Sequence, residues 1–244
     1  MMTKALLFSF IPMVAAIVAA IIAALQKPSS VMKSLTQHLA AGVVFAAVAL
    51  EMGPDLLKRH ESLSTAVGFS IGVALLVGIG VLTEKKGPDS KAEEREGKTA
   101  TSVTYLVTVA TDLFVDGLMI GIGFIAGAKA GLLLTVALTL ELISLALALV
   151  GQLREDGKSK SGAVFTTSML TCLVPLGAVI GLVVLARMPV GVINGTIAAG
   201  TAALLYLVTE ELLREAHEQP EGALTTATFF AGFLLVMLID MQLG

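Results

Sequence analysis

The feature that most constrains this chain is the recurrence of apolar stretches about 20 residues long, the length that crosses a hydrocarbon core about 30 Å thick at 1.5 Å per residue. They run approximately over 4–26, 34–57, 64–83, 100–126, 130–152, 162–186, 190–213 and 223–243. Between them lie breakers such as Lys27-Pro28-Ser29-Ser30, Gly87-Pro88-Asp89, Gly157-Lys158, Met188-Pro189 and Gln219-Pro220-Glu221-Gly222. The pattern predicts an all-α membrane protein, a bundle of eight transmembrane helices. Composition excludes the soluble alternative: 56% of the 244 residues are hydrophobic and 14% charged, against about 25% charged in soluble domains. A cleaved signal peptide is the weaker reading of the first run, because Ala5–Leu25 contains Pro12, has no strong basic start and is followed by further spans.

The whole chain, 1–244, reads as a single transmembrane domain. Its one long separator, TEKKGPDSKAEEREGKT from Thr83 to Thr99, mixes both signs of charge without core-forming residues, as a disordered surface loop does. Residues 84–99 are therefore expected as a loop between helices three and four. Lys and Arg collect on the cytoplasmic side of a membrane. The loops after spans one, three, five and seven hold eleven of the 16 basic residues, including Lys27, Lys85, Lys86, Arg154, Lys158, Lys160 and Arg214. That side is expected to be cytoplasmic, with both termini outside. The compact length and absence of a targeting segment point to a bacterial inner membrane.

The net charge of −3 is spread over loops, which argues against a nucleic-acid partner. The bilayer and a small ion are the partners expected. Cys172 lies in an apolar run and reads as a packing residue. The histidines His38, His60 and His217 fall at span ends or in loops and read as solvated. Glycines at small-xxx-small spacing, such as Gly68 and Gly72 or Gly117 and Gly121, let helices approach closely. They permit a homodimer without requiring one.

Chemistry is concentrated in a few acids within the spans. Placing a charge at the membrane centre costs about 2.5–3.5 kcal/mol on insertion scales, so a retained acid marks a polar interior. Asp112 and Asp116 stand four residues apart in TDLFVDGLMIG, on one face of span four. Two such carboxylates are compatible when a cation lies between them or one keeps its proton. Glu141, in TVALTLELISLAL, is the deepest acid of span five, with Ser144 on the same side. Glu51, before Met52-Gly53-Pro54, either guards an approach to the site or reaches the surface. Glu210 and Glu211 lie toward the cytoplasmic end of span seven, and Asp240 near the chain end reads as structural. A donor set made only of carboxylates suits harder cations such as Mg, Ca and Mn, whereas zinc sites usually include His or Cys.

The DLFVDG string of span four, the Leu173-Val174-Pro175-Leu176-Gly177 string of span six and the closing GFLLVMLIDMQLG resemble the ZIP family of metal-ion transporters. The resemblance covers most of the chain. It implies a ZIP-like architecture of eight spans with external termini, and a metal path through helices four and five. By this resemblance Asp112 stands for a metal-binding His of span four, Asp116 for its Glu, and Gly117 matches directly. Glu141 stands for the first ligand of span five, Glu210 for a span-seven His, and Glu51 joins the candidate metal residues. The chain departs from the family where Val115 replaces a proline, Ser144-Leu145-Ala146 replace a Pro-Glu-Gly and Val174 replaces a Glu. A two-metal site is thereby reduced to one.

The function expected is alternating-access transport of a divalent cation (Mn, Fe, Zn or similar) as substrate, without a cofactor. The alternatives are a proton- or sodium-coupled carrier of another solute, and a membrane scaffold that transports nothing. An enzyme is disfavoured, since neither HExxH nor GxSxG occurs.

Overall fold

The computed structural model describes residues 2–26, 29–84, 103–185, 187–217 and 222–243. The charged loop expected over 84–99 lies outside the described residues apart from Glu84, which ends a helix. Among the described residues the regular structure is entirely helical. In chain order the helices are α1 (Met2–Leu25), α2 (Ser30–Arg59), α3 (Ser62–Glu84), α4 (Val103–Ala126), α5 (Ala128–Glu155), α6 (Lys160–Leu185), α7 (Val190–Tyr206, continued through Leu207–Leu212 and Leu213–His217) and α8 (Ala223–Leu243). Seven are long and apolar enough to cross a bilayer, and α3 adds a shorter apolar stretch over Ser62–Gly78. The boundaries agree with the apolar runs to within a few residues, because hydropathy and helix length answer to the same membrane thickness.

Local chemistry explains the ends and interruptions. Ser29 and Ser159 cap α2 and α6 by accepting hydrogen bonds from the amides of Met32 and Gly162, each 3.1 Å. In α2 a π-helical turn at Val48–Met52 precedes Gly53-Pro54, where the proline has no N–H to continue the ladder. Further π turns lie at Gly181–Leu185 in α6 and Leu207–Leu212 in α7. By contrast α4, with Val115 and no proline, is an unbroken α-helix.

The packing follows small residues. Helices α1, α4, α5 and α6 pack on one another, α3 pairs with α7, and α8 lies along α2, which in turn contacts α5. On the α4–α6 seam, a methyl at Gly117 would collide with the carbonyl of Val174, and one at Gly177 with the carbonyl of Phe114. Gly68 similarly lies against the backbone of Gly195 between α3 and α7. That pair is also pinned by the Asn194 amide, whose Nδ2 donates to Ser64 Oγ at 2.8 Å and Thr65 Oγ1 at 2.9 Å. Outward-facing leucines, valines and phenylalanines of α1, α3 and α8 are exposed, as lipid contact requires.

Two sequence expectations change. Cys172 is exposed, not packed, and its thiol donates to the Ser168 carbonyl at 3.3 Å. It sits at the break between the two segments of α6, on the side away from the core. His38 is buried, only 2% exposed, and its Nδ1 lies 2.9 Å from the Ser34 carbonyl. Helix α2 begins at Ser30 and places His38 on the face packed toward α7, where Ser34 Oγ also reaches the Ala216 carbonyl at 3.4 Å.

Candidate metal centre

The continuous α4 carries Asp112 and Asp116 one helical turn apart, and α5, packed beside it, presents Glu141 at mid-helix. One carboxylate oxygen from each of the three lies within 4.8 Å of the others. In an octahedral complex, opposite oxygens stand at twice the metal–oxygen distance, about 4 Å for Mg and about 5 Å for Ca. The cluster therefore has the span that a single divalent ion can bridge.

Burial sharpens the chemical problem. Asp116 is 3% exposed and Glu141 2%, and Asp112 is half-buried. Oδ2 of Asp116 and Oε2 of Glu141 are enclosed without a hydrogen-bond partner. Buried carboxylate oxygens left unpaired cost several kcal/mol each, and among the described residues the charged groups that interact with these two acids are each other, Asp112 and Glu211, all acidic. A bound cation would offset that cost. The donor set is all oxygen: among the described residues the metal-ligating group contains neither histidine nor cysteine.

A cavity of about 260 Å³ lies against these acids, between α4 and α7 with Leu76 of α3. Asp112 and Asp116 form part of its wall on α4, together with Thr108 and Thr111. The opposing wall on α7 is formed by Ala203, Leu204, Tyr206, Leu207 and Glu211. The site thus lies where the α1–α4–α5–α6 group faces the α3–α7 pair.

Glu210, the α7 residue singled out from the sequence, is exposed and absent from the cavity wall. Its neighbour Glu211 faces the cavity and interacts electrostatically with both Asp116 and Glu141. The available signal was periodicity, since Ala203, Leu207 and Glu211 recur every four residues on one face. It was usable only once the inward face of α7 was known.

Glu51 is placed in a second cluster. Lys129 Nζ at the start of α5 lies 3.3 Å from Glu51 Oε1 in the π turn of α2 and 2.9 Å from Asp240 Oδ1 near the end of α8. Asp240, expected from the sequence to be structural, thus pairs with Lys129. The structure makes them a three-helix ionic contact that includes Glu51.

The sequence is similar to known proteins. The family model described as ZIP Zinc transporter matches residues 81–240. Among individual proteins, the zinc transporter GufA of Myxococcus xanthus is 29% identical over 214 residues, covering 86% of this chain and 73% of that protein. The zinc transporter ZIPB of Bordetella bronchiseptica is 28% identical over 142 residues, 57% of this chain and 45% of that relative's length.

Proposed function

Since the chain belongs to the ZIP zinc transporter family, we propose that it carries a divalent metal cation across the membrane, with Asp112, Asp116 and Glu141 holding the ion partway. The observation that carries the site assignment is the convergence of three carboxylates, two of them buried with unpaired oxygens, beside a cavity between two helix groups. Binding exchanges the ion's water for these oxygens, and charge neutralisation offsets the cost of keeping the acids in a low-dielectric interior. Glu211 faces the same cavity from α7 and supplies a further carboxylate to the path. Movement of the α1–α4–α5–α6 group against α3–α7 would open the site to each side in turn. Glu51 lies toward the other end of the path, where a cation arriving at its carboxylate competes with Lys129. Glu210, outside the cavity, is left with a surface role.

The relatives are named zinc transporters, but an all-oxygen donor set favours harder ions. Mn is accordingly the preferred substrate in this reading, with Fe and Zn as competitors. The protein is an integral membrane protein and a transporter rather than an enzyme. The whole chain forms one transmembrane domain, with residues 84–99 as a cytoplasmic loop and both termini outside a bacterial inner membrane. The distribution of basic residues supports that orientation.

Uptake of Mn, Fe and Zn into proteoliposomes tests the proposal. Removing one partner from a buried charged contact costs about 3 kcal/mol or more, so Asp116→Asn should weaken half-saturation about 100-fold. Uptake by Asp116→Asn indistinguishable from wild type would remove the carboxylate site. Zn strongly preferred over Mn would remove the hard-ion assignment while leaving metal transport intact.

A further inference from the structure

At the end of the bundle opposite Lys129, helices α1, α5 and α6 enclose space that the transport site does not use. A cavity of about 300 Å³ is bounded by Ala24 and Leu25 of α1, Arg154 and Glu155 of α5, and Lys160 of α6. A second hollow, about 400 Å³, shares Ala24, Leu25 and Lys160 with the first. It continues along the outer face between Ile21 of α1 and Val164 and Phe165 of α6. Together they form a trough with a cationic head and an apolar tail. Its walls extend from Lys160 to Ser168 on α6, about 12 Å of helix at 1.5 Å per residue.

The charges at the head are available. Arg154 Nη1 donates to the Ala24 carbonyl at 3.3 Å. Among the described residues neither Arg154 nor Lys160 forms an ion pair. Glu155 lines the same cavity and has an interaction of its own. The N-terminus of α6, capped by Ser159, opens at Lys160 and adds the positive end of its helix dipole. Below the head, Ile21, Leu25 and Phe165 are exposed, with Phe165 65% accessible. In a bilayer an apolar surface at that place meets acyl chains, while basic side chains at the helix ends lie at headgroup level.

We propose that this trough binds one anionic phospholipid, its phosphate between Arg154 and Lys160 and an acyl chain along Ile21 and Phe165. With the orientation proposed above, this end of the bundle faces the cytoplasm, so the lipid would come from the inner leaflet. A bound lipid would tie α1 to the adjoining ends of α5 and α6, within the helix group that carries Asp112, Asp116 and Glu141. The inference stands independently of which ion is transported.

Native mass spectrometry of the full chain, equilibrated with mixed phosphatidylglycerol and phosphatidylcholine, tests it. Wild type should retain phosphatidylglycerol over phosphatidylcholine by about tenfold or more, given two basic contacts. Lys160→Gln, at an exposed position, should lose most of that preference, and Arg154→Gln should lose it as well. Lys158→Gln, whose ammonium is already bonded to Thr166 Oγ1 at 3.1 Å, should keep it. Equal retention of the two lipids by wild type would overturn the proposal, as would full preference in Lys160→Gln. Glycerol 3-phosphate binding as tightly as the lipid would also overturn it, because an anion alone would then account for the site.

Discussion

Replacing Gly117 with alanine puts one methyl group where α4 meets α6. The added carbon would contact the carbonyl oxygen and carbon of Val174 and the amide nitrogen of Ala178. All three are main-chain atoms of a packed helix, so no side-chain rotation relieves the overlap. Overpacking of this kind costs about 1–3 kcal/mol, and alanine recovers about 1 kcal/mol of helix propensity relative to glycine. The net expectation is a loss of up to about 2 kcal/mol. Gly78 in α3 is the matched control: an added carbon there meets nothing within 4 Å among the described residues, so Gly78→Ala should be neutral or stabilising. Reversible unfolding in mixed detergent micelles reads both variants on one scale. The consequence reaches function because Gly117 follows Asp116 directly, so a shifted α4 moves that carboxylate relative to Glu141 on α5. Gly117→Ala should therefore also weaken metal uptake. If Gly117→Ala proves as stable as Gly78→Ala, the close α4–α6 approach is not what holds this seam.

Glu211→Gln should raise the half-saturating metal concentration, and Glu210→Gln should leave it within about twofold, because only Glu211 faces the cavity. Equal effects on Mn uptake kinetics would contradict the placement of the α7 turn. Lys129→Met removes the cation shared by Glu51 and Asp240 and leaves two nearby acids without it. Equilibrium dialysis with Mn should then detect additional low-affinity binding that disappears in Lys129→Met/Glu51→Gln, and its persistence there would show that Glu51 is not the acid responsible.

Much of the architecture was legible in the sequence because the bilayer imposes one strong rule. Every backbone polar group must be satisfied within the chain, so an apolar run of sufficient length becomes a helix whatever its neighbours do. The same rule identified Asp112, Asp116 and Glu141, since an acid in such a run is costly unless it serves a polar interior. Their i, i+4 spacing fixed the shared face of α4 before any packing was known.

Other features depended on which face of each helix turns inward, which length and hydropathy do not specify. Glu210 and Glu211 are adjacent in sequence and equivalent by composition, yet the π turn and the α4–α7 packing bring only Glu211 to the cavity. His38, at a span end, is expected to be solvated, whereas the longer α2 buries it against α7. Cys172, expected to pack, faces outward. The ionic contact of Lys129 with Glu51 and Asp240 joins residues far apart along the chain, so no local pattern encodes it. The spans and the interior acids are legible residue by residue, because they follow from the cost of moving single groups out of water. Which acids meet is a matter of packing, because convergence depends on helix rotation and neighbour choice, set by glycine-scale contacts such as Gly117 against Val174.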